Sequence, residues 1–143
     1  MSGAGTAELT SGDIQALALS QEFKSGGLRR VAAIDIGTNS THLLVASVDP
    51  ALGTFSIIQA EKSTTRLGER DPDTGDLSAA AMERGFETLR RFLELAHSHQ
   101  VEQVVTAATS AVREAPNGRD FLQSIKDELG IEVDLVSGPE EAR

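Results

Sequence analysis

The residue pattern predicts an α/β fold with a five-stranded mixed sheet built in the order β-β-β-α-β-α-β. Three observations carry that prediction. Short apolar runs at Val31–Ile36, Leu43–Val48 and Phe55–Ala60 follow one another with only turn-forming residues between them. Helical stripes then separate a further apolar run, Val104–Ala108, from a last one in which Ile131, Val133 and Leu135 alternate with Glu132 and Asp134. Strands joined by tight turns pair antiparallel, whereas strands joined through a helix pair parallel by right-handed crossovers. An antiparallel opening followed by parallel strands is therefore expected.

Residues 1–28, rich in Ser, Gly, Ala, Gln and Thr and closed by Gly26-Gly27, read as a mobile leader with a weak helical segment from Asp13 to Phe23. Gly37 ends the first apolar run, and Thr38-Asn39-Ser40-Thr41 forms the polar turn into the second. Asp49-Pro50 and Gly53 supply the next turn, and Glu61 to Asp76 reads as a charged loop dense in turn formers. Ser78 is a good N-cap for a helix whose Met82, Phe86, Leu89, Leu93 and Ala96 recur as one stripe, with Arg84, Glu87, Arg90, Arg91 and Glu94 on a wetted face. Thr109 to Ala115 reads as a short turn or helix stopped by Pro116-Asn117-Gly118. Phe121, Leu122, Ile125 and Leu129 mark a second amphipathic helix, with Gly130 placed for a left-handed C-terminal residue. Ser137-Gly138-Pro139-Glu140 fits a capping box with Pro in the first turn, so residues 29–143 read as one lobe that stops at the start of its next helix.

The 143 residues carry 13 Lys+Arg against 22 Asp+Glu, a formal charge of −9. A domain held on nucleic acid needs a surplus of cations to displace counterions, so nucleic acid is not expected as a partner. The acids lie toward the ends: residues 24–119 are nearly balanced, with twelve acids and eleven bases. No apolar run reaches the ~18 residues of a membrane span, and the first base is Lys24, which does not fit a signal peptide. A soluble cytoplasmic protein without membrane contact is expected. The absence of Cys excludes thiol catalysis, disulfides and cysteine-ligated metal.

Asp35 to Ser40 is the segment with chemistry. Turn amides there can converge on phosphate oxygens, Gly37 permits close approach, and Thr38 and Ser40 add hydroxyls. Asp35, at the strand end, can hold Mg²⁺ or its waters, because hard cations prefer carboxylate oxygen. The same residues also suit an ordinary hairpin in which Asp35 caps turn amides. Neither Gly-x-Gly-x-x-Gly nor Gly-x-x-x-x-Gly-Lys occurs, which disfavours dinucleotide and P-loop readings. Asp71, Asp73 and Asp76 lack the spacing of a calcium loop and read as a solvated turn. His97 and His99 suit a helix end, and His42 suits strand packing.

Val31 to Val45, VAAIDIGTNSTHLLV, resembles the opening of the exopolyphosphatase/guanosine pentaphosphatase (Ppx/GppA) family of the sugar kinase, Hsp70 and actin superfamily. Four further blocks resemble it in order: Thr65-Arg66-Leu67-Gly68, Thr74-Gly75-Asp76-Leu77-Ser78, ATSAVREAPN from Ala108 to Asn117, and SGPEEAR from Ser137 to Arg143. The resemblance implies a ribonuclease H-like lobe of a two-lobed enzyme. That enzyme uses Mg²⁺ and water to remove the terminal phosphate of inorganic polyphosphate or guanosine pentaphosphate. It implies that Asp35, Gly37, Thr38, Asn39 and Ser40 form the first phosphate loop, and that a second, Asp-x-Gly-Gly-Gly-Ser, follows the SGPEEAR block.

The resemblance further implies that Glu141 is the catalytic base and that Arg66 and Arg113 face the polyphosphate; Thr109, at the end of the fourth strand, can add a hydroxyl to the same site. Without the resemblance, Glu141 reads as a first-turn helix stabiliser, and Arg66 and Arg113 as surface partners of Glu69 and Glu114. A full-length homodimer is also implied. Two other readings stay open: a lobe that binds polyphosphate or guanosine polyphosphates without turnover, and a small-molecule kinase of the same superfamily, against which the SGPEEAR block weighs.

Overall fold

A computed structural model describes residues 27–136. Its sheet has the order β3-β2-β1-β4-β5, with β1 spanning Arg29–Ile36, β2 Ser40–Asp49, β3 Thr54–Thr64, β4 Gln103–Ala108 and β5 Val133–Leu135. β1 pairs antiparallel with β2, β2 antiparallel with β3, and β4 lies parallel to both β1 and β5. The mixed sheet expected from connection lengths is therefore present. The helices are α1 (Ala79–Ser98), α2 (Ser110–Glu114) and α3 (Gly118–Leu129). None of the helices among the described residues is long and apolar enough to cross a membrane.

Alternate residues of β1 and β2 divide between two apolar groups, as the period of a strand requires. Ala32, Ile34, Ile36, Leu43 and Val45 form the main core with Leu89 and Phe92 of α1 and Phe121 and Ile125 of α3. Val31, Ala46 and Val48 pack with Phe55 in a smaller cluster.

Several boundaries differ from the sequence reading, those of β2, β3 and β5 among them. β2 begins at Ser40, because Thr41 pairs with Ser63 and its hydroxyl meets that of Thr65 at 2.9 Å in the interior. β3 runs on through Glu61–Thr64, which charge had assigned to a loop; an edge strand with one open side tolerates charges that a central strand does not. β5 holds only Val133–Leu135, with Ile131 packed on the core just before it.

The stripe on α1 is also rotated. Leu89, Leu93 and Ala96 are buried as expected, but the other buried positions are Ala81, Gly85, Thr88 and Phe92. Met82 and Phe86 are half-buried, and Phe86 meets Phe121 of α3 edge-on with centroids 5.6 Å apart. A helix packed against both a sheet and a second helix needs two adjoining apolar faces, and a single stripe underestimates their width. The caps follow expectation: the Ser78 hydroxyl accepts the Ala81 amide at 3.0 Å, and Gly130 ends α3 at φ 74°. The segments Asp13–Phe23 and Ser137–Glu140 lie outside the described residues.

Candidate functional site

Strand register brings the separated sequence blocks to one edge of the sheet. Ile36 is paired with Thr41 on one side and Ala108 on the other, Ala108 with Leu135, and Ser40 with Thr64. The turn Gly37–Ser40, the loop after Thr64, Thr109 and the exit of β5 therefore share the C-terminal edge of the parallel strands. Loops at that edge are where open α/β sheets place their ligands. The described chain ends there at Val136, five residues before Glu141, which lies outside the described residues.

The turn is closed by its own backbone: the Gly37 amide donates to the Ser40 carbonyl at 3.0 Å. That amide is thus committed within the turn. Thr38 is half-buried, Asn39 exposed and Ser40 buried. The loop from Thr65 to Gly68 is tied directly onto this turn. Amides of Thr65 and Arg66 both donate to the Asn39 carbonyl, at 3.1 and 2.9 Å, and the Gly68 amide donates to the Thr38 carbonyl at 2.9 Å. Thr65 and Leu67 are fully buried and pin the loop to the core, while Arg66 between them is exposed. Among the described residues Arg66 has no side-chain hydrogen bond or ion pair. Glu69, its alternative partner, is held by Arg84 at 3.0 Å and by Ser78 at 3.1 Å.

Gly68 approaches the turn as only glycine can: a Cβ there would stand 2.7 Å from Thr38 Cγ2. Gly68→Ala is expected to displace Thr38 and weaken phosphate-chain binding roughly tenfold, about 1.4 kcal/mol. Isothermal titration with tripolyphosphate against both proteins checks this.

Asp35 is fully buried near the end of β1, and His42, opposite it on β2, brings Nδ1 to 3.9 Å from Oδ2. Sequence reasoning placed His42 in strand packing; it is the neighbour of the candidate metal carboxylate. Mg²⁺ is ordinarily held by one or two carboxylates together with waters and substrate phosphates, so a single hard carboxylate beside a phosphate turn is a donor set that fits.

At the end of β4 the Thr109 amide donates to the Ile36 carbonyl at 3.3 Å, joining Thr109 to the end of β1. Its side chain is fully buried, and its hydroxyl has no hydrogen-bond partner among the described residues. Arg113, on α2, donates to the Val136 carbonyl at 2.9 Å and has Glu114 at 3.9 Å. Its guanidinium thereby ties α2 to the exit of β5, and its side chain keeps 23% of its surface exposed. Both of its sequence readings, ion pair and site cation, are compatible with that position.

Sequence reasoning passed over three residues that assemble this edge. Arg84, assigned to a wetted face, donates through Nε to the Thr65 carbonyl at 2.9 Å. Arg70 donates to the Ala111 carbonyl at 2.8 Å, and the Asn117 amide group pairs with Leu77, accepting from its N–H at 2.8 Å and donating to its carbonyl at 3.3 Å. All three reach backbone carbonyls far away in sequence, a signal that local periodicity does not carry.

Bonds from Arg84 and Ser78 hold the Glu69 carboxyl below the ordinary carboxylate range, even though the group is exposed to solvent. A lowered folded value means that its contribution is fully present above the ordinary Glu value of ~4.3 and fades as pH falls through the folded value. Protonation of Glu69 is therefore expected to loosen the Arg84 contact only below about pH 4.3. A carboxyl-carbon NMR titration checks this, with loosening near neutral pH as the contrary result. Asp71 is lowered likewise, by the Asp73 and Thr74 amides that it accepts at 2.7 and 3.0 Å; these bonds make Asp71–Asp76 a structured turn.

Comparison with known proteins supplies a family and several solved relatives. Residues 44–143 match the model of the Ppx/GppA phosphatase family. That match begins within β2, so β1 and the turn after it precede the matched residues. Among solved structures, a member of the Ppx/GppA family from Aquifex aeolicus superposes with a TM-score of 0.73 at 35% identity, covering 80% of this chain and 37% of that one. An exopolyphosphatase from Cytophaga hutchinsonii gives 0.71 at 33% identity, covering 80% and 36%. A type II crystal variant of the Aquifex aeolicus Ppx/GppA phosphatase gives 0.69 at 34% identity, covering 76% and 36%. The chain spans little more than a third of the length of these relatives.

Proposed function

The chain belongs to the Ppx/GppA phosphatase family, and on that premise we propose that it forms the first lobe of a Mg²⁺-dependent hydrolase acting on the terminal phosphoanhydride of inorganic polyphosphate or guanosine pentaphosphate. The observation that carries the reading is the convergence of turn 37–40, loop 65–68, Thr109 and Arg113 on one sheet edge, in a chain similar to an exopolyphosphatase. Phosphoryl transfer asks a protein mainly for positioning and charge neutralisation. Thr38, Asn39 and Ser40 bind phosphate oxygens by amides and hydroxyls, while Arg66 and Arg113 supply fixed positive charge in a geometry that fits phosphate.

Asp35 would hold Mg²⁺, which when bound neutralises phosphate charge. Glu141 serves as the base that orients water and accepts its proton. Turnover requires a second phosphate loop opposite this edge, so these residues alone are expected to bind the phosphate chain with little hydrolysis.

The test is phosphate release by the two-lobed protein carrying this sequence, from polyphosphate and from guanosine pentaphosphate in parallel. Release from either substrate supports the hydrolase, and the ratio of kcat/KM values sets the preference. Binding with no release from either favours the binding lobe. Nucleotide-dependent transfer to a small acceptor favours the kinase.

A further inference from the structure

We infer that Arg84 is a positioning residue that clamps the Thr65–Arg66 peptide and so sets the direction in which Arg66 meets a phosphate chain. The consequence for binding rests on the functional reading above; the clamp itself rests on geometry. The carbonyl of Thr65 and the amide of Arg66 belong to one rigid, planar peptide unit. Its oxygen accepts from Arg84 Nε at 2.9 Å, and its N–H donates to the Asn39 carbonyl at 2.9 Å. One peptide plane is thus fixed at both ends, by helix α1 on one side and by the phosphate turn on the other.

Two further features depend on that clamp. Arg66 has φ 50°, a left-handed conformation that a residue with a side chain holds only where its surroundings enforce it. The adjacent Thr65 amide uses the same Asn39 carbonyl at 3.1 Å, so the chain must curl sharply at this point. The second nitrogen of the Arg84 fork reaches Glu69 Oε1 at 3.0 Å, and Glu69 also accepts from the Ser78 hydroxyl at the start of α1. Both ends of the short loop are therefore tied to the first turns of one rigid helix. Two of the fork's donors hold Thr65 and Glu69, so Arg84 anchors the loop that carries Arg66. Lysine carries the charge but cannot present two donors in a fixed plane.

The experiment uses the full 143-residue chain and four variants: Arg84→Met, Arg84→Lys, Arg66→Gln and the double variant Arg66→Gln/Arg84→Met. Amide exchange by NMR reads the clamp, and calorimetric titration with tripolyphosphate reads its consequence. In Arg84→Met, exchange at Arg66 and Gly68 should quicken about tenfold while Val45 and Val105 keep their protection. Tripolyphosphate affinity should fall by about the same factor as in Arg66→Gln, and the double variant should be no weaker than Arg66→Gln, because positioning and positioned residues are coupled. Arg84→Lys should recover only part of both effects.

Unchanged exchange at Arg66 and Gly68 overturns the clamp. Additive losses in the double variant overturn positioning, since they show Arg84 acting on the ligand independently. If the parent chain does not bind tripolyphosphate, the functional reading fails, and the exchange result alone sustains or overturns the clamp. Should Arg84→Met lose protection at Val45 as well, Arg84→Lys and Glu69→Gln carry the same two measurements.

Discussion

Replacement of Glu141 by Gln in the two-lobed protein is expected to lower phosphate release by about 10²–10⁴-fold, with substrate binding held within a few-fold. The amide keeps the size and most of the hydrogen-bonding shape of the carboxylate but cannot accept the proton of attacking water. Proton acceptance is needed only as the reaction proceeds, so the loss should fall on kcat and leave KM nearly unchanged. Single-turnover phosphate release, with binding measured in parallel, reads both quantities. Release at the parent rate removes Glu141 from the role of base. A loss confined to KM would make it a binding group instead.

Gly118→Ala should give the largest loss of stability. Gly118 opens α3 and is buried, and a Cβ there would lie 1.9 Å from the Val112 carbonyl oxygen and 3.0 Å from its carbon. Those are backbone atoms, so relief requires α2 or α3 to move as a body. Overpacking in a closed interior commonly costs 1–3 kcal/mol, and a rigid backbone obstacle places this case at about 3 kcal/mol or more. A fall in Tm of about 10–20 °C is expected for a domain of this size. Gly130→Ala is the comparison: its surroundings are open, its only obstacle is φ 74°, and it should lose about 1 kcal/mol. Thermal and urea melts of both variants check the pair, and a Gly118→Ala loss no larger than that of Gly130→Ala contradicts the packing. Because α2 carries Arg113 and follows Thr109, surviving Gly118→Ala protein should also bind phosphate chains less well.

Much of this architecture is written in local pattern. The runs Val31–Ile36 and Val104–Ala108 announce buried strands because nothing polar interrupts them except Asp35 and Thr106. Ser78 and Gly130 announce the helix ends by their capping chemistry. The candidate site was legible in a different way. Asp35 to Ser40, Thr65 to Gly68 and the segment around Arg113 stand out as blocks resembling one family, yet nothing in their spacing says that they touch.

Other features escaped because their signals are long-range. β3 continues through Glu61–Thr64 because β2 supplies partners for its backbone, and the local charge that suggested a loop is harmless on an open edge. Phe92, off the predicted stripe, is fully buried because sheet and second helix widen the apolar face of α1. Arg84 looked like one more charge on a wetted helix, and only folding brings the Thr65 carbonyl to its guanidinium.

The sequence by itself determined the order of elements, their antiparallel and parallel senses and the helix caps, because periodicity, turn chemistry and connection length act between near neighbours; the family was legible only from the resemblance of whole motif blocks. The tertiary structure alone decided which carbonyls the arginines hold, how far Asp35 is buried beside His42, and that turn 37–40 and loop 65–68 form one unit. Those outcomes depend on strand register and helix packing, which join residues tens of positions apart through hydrogen bonds that leave no period in the chain.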